Sequence, residues 1–205
     1  SLNFGSVKMV DITFTSTAQS SSPTVSASSP LRHIIIIRGP AGAGKSTVSA
    51  CILDALRGAG VPTCYLEQDV FRNTMLKGGP RSAAVSAAML QGAADASLNG
   101  GYSVVLEGIL NSSSTRGGQY RSLIESMVER HDDHTRVSLF YLNPSLEATK
   151  TRHLGRAKAS SFGVDKLDKW WKSSAPTGIE GEVVIDTSLQ SVEQTVQTVR
   201  EHVGV

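Results

Sequence analysis

Gly39, Gly44, Lys45 and Ser46, inside "GPAGAGKST" (39–47), stand at the spacing G-x-x-x-x-G-K-S. Glycines at both ends let a short loop fold tightly, so that successive backbone N–H groups point at one anion. A helix beginning at Lys45 would add the positive end of its dipole. Lys45 is then placed to reach the β- and γ-phosphates of a nucleotide, and the Ser46 hydroxyl to ligate Mg²⁺. Gly39, Pro40, Ala41, Gly42, Ala43, Gly44, Lys45, Ser46 and Thr47 form the candidate nucleotide-binding set. Such a loop binds phosphate; whether the nucleotide is hydrolysed, sensed or used as a phosphoryl donor rests on other residues.

Three further groups bear on that choice. In "YLEQDVFRNTM" (65–75), Asp69 lies just past a strand-like segment, where a carboxylate can take the proton of an acceptor hydroxyl during in-line attack on the γ-phosphate. Arg72, one helical turn on, would share its side and hold an anionic part of the acceptor or orient Asp69. An N-capping Asp followed by a surface Arg would also fit this pair. In "VVLEGIL" (104–110), Glu107 ends a buried apolar run, so it needs a partner: Mg²⁺ held through water, or substrate. In "TKTRHLGR" (149–156), Arg152 and Arg156 fall at i and i+4 on one helical face, where both could stabilise charge on the transferring phosphoryl group. Gly155 and "AKASSFG" read as a short movable lid.

Other residues read more plainly. Trp170 and Trp171 suit packing, and His33, His131, His134, His153 and His202 lack metal-ligand spacing and read mostly as terminal or surface positions. "DTSLQS" (186–191) supplies an N-cap for a closing helix, although backbone groups around Thr187 and Ser188 could meet adenine. Cys51 and Cys64 read as small buried hydrophobes in a reducing compartment.

These residues must be held by a frame, and strand-like and helix-like segments alternate after Pro30. "HIIIIR" (33–38), "PTCYLE" (62–67), "YSVVLE" (102–107), "RVSLFYL" (136–142) and "EVVID" (182–186) read as strands. Helices are expected from Lys45 to Arg57, from about Ser82 to Leu98, around Tyr120–Val128, after an Asn143 cap with Pro144 at the first position, and along Leu189, Val192, Val196, Val199 and Val203. Strands separated by helices predict a three-layer α/β/α fold with a five-stranded parallel sheet and its ligand at the carboxyl ends of the strands.

A chain of 205 residues suits one domain, expected over 31–205, with 1–30 as a Ser/Thr-rich flexible extension or, around "MVDITF", an edge strand. Twenty basic against 18 acidic side chains give a net charge of +2, too small for a nucleic-acid groove or an anionic membrane to be the favoured partner. No apolar run approaches the ~20 residues of a membrane span. The opening segment lacks the apolar core of a secretory signal, and the expected compartment is the cytoplasm.

The N-K-x-D and D-x-x-G motifs of GTP switches and the L-S-G-G-Q signature of transporter ATPases do not occur. With the phosphate loop, "DVFR" after the second strand, and "YLNPSLEATKTRHLGR" with its Arg-x-x-x-Arg, the stretch Ile34–Trp171 resembles the P-loop kinases of small-molecule and polynucleotide type, especially phage polynucleotide 5′-kinase and its relatives. "VVLEGIL" looks more like the third strand of zeta-toxin and antibiotic-phosphotransferase-like kinases, and Gln68 stands where the polynucleotide enzymes often carry an additional Asp. The resemblance implies ATP and Mg²⁺ as cofactors, Asp69 as general base, Arg72 as an acceptor-binding residue, and Arg152 and Arg156 as lid arginines on ATP. A small-molecule acceptor is favoured over a polynucleotide 5′-hydroxyl. The alternative of another class is an ATP-binding switch or assembly protein of the same fold.

Overall fold

The computed structural model describes residues 31–79, 81–111, 118–154, 171 and 174–205. The N-terminal extension and its edge strand, the loop 112–117, the lid reading, Arg156 and Trp170 lie outside the described residues.

Five parallel strands, β1 (Arg32–Arg38), β2 (Thr63–Glu67), β3 (Ser103–Gly108), β4 (Thr135–Leu142) and β5 (Glu182–Ile185), form one sheet in the order β2-β3-β1-β4-β5. The four isoleucines of β1 are fully buried because the strand sits in the middle of the sheet with helices over both faces. Ile34 and Ile36 meet α2 (Ser82–Asn99) and α3 (Gly118–Val128), while Ile35 and Ile37 meet α1 (Lys45–Gly58) and the closing helix α5 (Val192–Val203). A further helix, α4 (Leu146–Leu154), follows β4. The connections from β1 and β3 leave in opposite directions across the sheet, so the crevice between their carboxyl ends is the switch point where such sheets bind ligands.

Several local expectations are revised. Ser145, not Asn143, caps α4, its hydroxyl oxygen accepting the Ala148 N–H at 3.1 Å. Ser191 caps α5 in a reciprocal box with Gln194, which leaves Leu189 outside the helix and 82% exposed. Cys51 is exposed on α1 rather than buried. Trp171 does pack inward, donating its indole N–H to the Pro144 carbonyl at 3.0 Å.

His33 is buried, not a surface position, and its Nδ1 has no hydrogen-bond partner among the described residues. Burial, aided by the nearby Arg136 charge, holds its pKa below the ordinary 6.5.

The largest buried polar side chain is Arg38, at the end of β1 and fully inaccessible. Its Nη1 donates to Glu182 Oε1 at 2.8 Å, its Nη2 to the carbonyls of Ala175 (2.9 Å) and Leu110 (3.4 Å), and the guanidinium lies 4.9 Å from the Tyr141 ring centroid. The other oxygen of Glu182 accepts from the Thr177 hydroxyl at 2.8 Å and from the N–H groups of Thr177 and Gly178. Two predictions follow from these buried charges. Glu182→Ala leaves Arg38 charged without its counter-ion and is expected to cost about 3–5 kcal/mol in urea unfolding. At His33 the unfolded chain binds a proton that the folded chain refuses, so its stabilisation is complete above pH 6.5 and is lost as the pH falls below it; His33→Gln is expected to flatten that part of the stability profile.

Candidate active site

The loop from Gly39 to Gly44 leaves β1 at the switch point. Gly39 has φ +150°, and a Cβ there would stand 2.4 Å from the carbonyl oxygen of Leu142 at the end of β4. Backbone touches backbone, which only glycine permits. Gly44, at φ +94°, occupies the cap position of α1 without a side-chain cap, so the first N–H groups of the helix are left for a ligand. The Lys45 ammonium curls back over the loop and donates to the Pro40 carbonyl at 2.9 Å.

β3 delivers Glu107 beside this loop, because Ile37 and Glu107 are register partners. Glu107 is only 3% exposed. Its Oε1 accepts the Ser46 hydroxyl at 2.9 Å, and its Oε2 the Ser49 hydroxyl at 3.4 Å. The Tyr65 phenol of β2 lies near enough to feel its charge. Burial, then the charge of Glu107, then the charge of Glu67, push the Tyr65 phenol far above its ordinary range, so it remains a donor. Among the described residues no three His, Cys, Asp or Glu side chains cluster to hold a metal ion. The donor set of Ser46 hydroxyl and buried carboxylate instead fits a hard cation that takes its remaining ligands from phosphate oxygens and water.

On the far side of the crevice the chain leaves β2 through Gln68 and Asp69 into a π-helical turn, Val70–Met75. Gln68 is buried, accepts the Leu110 N–H on its Oε1 at 3.1 Å, and fills the space where a Cβ on Gly108 would lie 2.5 Å away. Leu110 itself is held at φ +42°, an unfavourable conformation for a branched residue. Asp69 is exposed and accepts from the Asn73 amide at 2.9 Å. Arg72 turns to Ser82 at 3.4 Å, so the expected pairing of Arg72 with Asp69 is replaced by one to Asn73. The wider π turn brings residue i+4 back beside residue i and leaves i+3 short of a full circuit.

The third wall is a cleft of about 250 Å³ between the start of α1 (Gly44, Thr47, Val48), Arg152 of α4, the β5–α5 connection (Thr187, Gln190, Ser191) and Thr195 in the first turn of α5. Arg152 reaches across it to the carbonyl and hydroxyl of Thr187. The segment 186–191 therefore both caps α5 and lines a cleft.

The family model described as an AAA domain matches residues 34–173, from β1 past the second tryptophan. The chain belongs to the AAA domain family. Among solved structures it is similar to a gluconokinase from Sinorhizobium meliloti 1021 (16% identity, 85% of this chain and 93% of that one, TM-score 0.60). It is likewise similar to the Mycobacterium tuberculosis APS kinase in complex with AMPPNP and APS (16% identity, 86% and 100%, TM-score 0.60). The tunicamycin resistance protein of Deinococcus radiodurans gives 20% identity, 85% and 97% coverage, and a TM-score of 0.58. At these identities the likeness establishes the fold, which is that of the P-loop kinases. No curated protein matches the chain.

Within this AAA domain the structure brings together the loop from Gly39 to Thr47, Lys45, Ser46 and Glu107, and sets Arg152 across a cleft from Gly44 and Thr47. Asp69 and Arg72 stand on the opposite rim with partners of their own. Ser49, Tyr65 and Gln68 were not legible as site residues. Ser49 lies one helical turn after Ser46, and that spacing was the available signal. Gln68 shows no sign of its role until β2 and β3 are paired. Gly39→Ala is expected to destabilise the domain by about 1–3 kcal/mol, because the added carbon meets a main-chain oxygen that cannot turn aside; the urea midpoint checks this.

Proposed function

We propose that this AAA domain, expected over 31–205, is an ATP- and Mg²⁺-dependent phosphotransferase that moves the γ-phosphate of ATP to the hydroxyl of a small molecule. The observation that carries the reading is the Ser46–Glu107 bond at 2.9 Å, which ties the helix-capping phosphate loop to a buried strand-end acid. A switch that only binds nucleotide has no use for a base and an anion-holding arginine across the crevice, the roles in which Asp69 and Arg72 would serve a phosphotransferase.

Backbone N–H groups from Gly42 to Thr47 and the Lys45 ammonium would bind the β- and γ-phosphates, with the Pro40 carbonyl holding the ammonium over the loop beforehand. Mg²⁺, held by Ser46 and through water by Glu107, would supply charge neutralisation between those phosphates. Arg152 and Arg156 would bring positive charge to the nucleotide, with the nucleoside in the cleft beside Thr187 and Gln190. Asp69 would accept the proton of the acceptor hydroxyl as its oxygen bonds to the γ-phosphorus and the bond to ADP breaks. Arg72 would hold an anionic portion of the acceptor.

The experiment is an ADP-release screen over sugars, nucleosides, antibiotics and 5′-hydroxyl oligonucleotides. A small molecule that stimulates release supports the reading, and stimulation by oligonucleotide alone would replace it with a polynucleotide kinase. With the acceptor in hand, Asp69→Asn is expected to lower kcat by about 10²–10⁴-fold while nucleotide binding stays intact. Unchanged turnover would remove the base assignment.

A further inference from the structure

The cleft beside Arg152 has apolar walls in Ala43, Val48 and Val192, which suit a flat base whatever the polar groups on its edge. Its polar side chains differ in how firmly they are committed. Arg152 is tied to the carbonyl and hydroxyl of Thr187. The Ser191 hydroxyl donates to Glu193 at 2.8 Å and accepts the Gln194 N–H at 3.2 Å. Gln190, which precedes that cap, meets the Thr195 hydroxyl at 3.4 Å, long for a bond between a hydroxyl and an oxygen.

Thr195 is buried and has one proton for two acceptors, the Ser191 carbonyl at 2.9 Å and Gln190 Oε1 at 3.4 Å. With the proton on Ser191, the Thr195 oxygen is an acceptor, and a half-turn of the terminal torsion of Gln190 brings the amide nitrogen round to donate to it. With the proton on Gln190, the amide oxygen stays on Thr195. The Ser191 carbonyl is not orphaned by that change, because it also accepts the Thr195 backbone N–H at 3.0 Å. One hydroxyl rotation and one half-turn of a torsion that is broad and two-fold exchange the two arrangements. Each leaves the opposite end of the amide for the cleft that Gln190 lines: the oxygen in the first, the nitrogen in the second. Adenine carries a 6-amino donor where guanine carries a 6-oxo acceptor, so an amide with either end available meets both.

We infer that Gln190, swivelling against Thr195, makes the cleft indifferent to the 6-substituent of a purine, so that the donor site binds guanine and adenine nucleotides alike. The inference rests on the donor-site reading above, which puts the nucleoside in this cleft, and adds to it a second class of nucleotide and the residue that admits it.

The probe is an ADP that carries its fluorophore on the ribose, bound to the full chain in Mg²⁺ and displaced by unlabelled ADP or GDP. The two affinities are expected to agree within about fivefold, less than one unpaired polar group would cost. Gln190→Glu leaves only an acceptor in the cleft and is expected to weaken GDP about tenfold relative to ADP. Gln190→Met removes both ends of the amide and should weaken both nucleotides by the same factor. A preference for either purine larger than about fivefold in the unmodified chain overturns the inference. So does a Gln190→Glu variant that still binds ADP and GDP alike, or a Gln190→Met variant that loses one and keeps the other. Failure of the labelled ADP itself to bind the unmodified chain would instead overturn the donor-site reading and this inference with it.

Discussion

A charged guanidinium held fully out of water sits at the root of the phosphate loop, and the ends of four segments are arranged around it. Arg38 is the last residue of β1; Gly39 follows directly. Removing such a charge from solvent costs several kcal/mol unless it is paired and its donors are filled. The fold meets most of that demand with Glu182 from the start of β5, the Leu110 carbonyl beyond β3, the Ala175 carbonyl before β5, and the face of Tyr141 on β4, while Nε has no hydrogen-bond partner among the described residues. Two partners lie in strands, Tyr141 in β4 and Glu182 in β5, and two in connections, Leu110 after β3 and Ala175 before β5, so satisfying one side chain ties the connections to the sheet. A hydrophobic residue at position 38 could fill the space, but it would not specify which carbonyls must converge there.

A second buried charge works the same way one strand over. Glu107 could not end β3 in an apolar layer without donors, and it finds two hydroxyls on α1, those of Ser46 and Ser49. The bond from Ser46 turns its hydroxyl proton toward the carboxylate, and the oxygen's lone pairs would be left for a cation under the proposed reading. Gln68 makes the matching link on the other face of β3, bonding Leu110 and packing against Gly108. The two rims of the crevice are thus tied through β3, one at Glu107 and the other at Gly108 and Leu110. Leu110 is the shared node, since its N–H goes to Gln68 and its carbonyl to Arg38.

The frame was readable in the sequence because it depends on nearest-neighbour patterns. Continuous isoleucine in β1, helical spacing after Lys45, and glycines at the turns place all five strands within a residue or so of where they occur, and the parallel order follows from the alternation. The phosphate loop was readable for the same reason: its chemistry is written in contiguous residues. What escaped was everything set by pairing between distant segments. Gln68 is indistinguishable from a surface glutamine until β2 lies beside β3 in register, and His33 looks like a surface histidine until β3 and β4 flank β1. Leu189 fits a helical stripe by spacing alone, but the Ser191–Gln194 box starts the helix two residues later and leaves it in solvent. In each case a local pattern competed with a tertiary contact that no window of sequence contains.

The rim proposed to take the acceptor shows the same limit in its sharpest form. "DVFR" reads as a catalytic Asp with an Arg one turn on, an inference that assumes α-helical winding. Hydrogen bonding from Leu76 to Phe71 opens the turn by one residue, so Asn73 comes round to Asp69 and Arg72 points toward Ser82 at the start of α2. Such π turns give up backbone geometry that an α-helix would optimise, and they persist where a side chain must be re-aimed. The consequence is a rim whose two candidate acceptor groups diverge instead of converging on one point. An acceptor that engaged both would have to span them, with its hydroxyl at Asp69 and a separate anionic or polar group at Arg72. That geometry favours a molecule with functional groups set apart from each other over a compact one with a single hydroxyl.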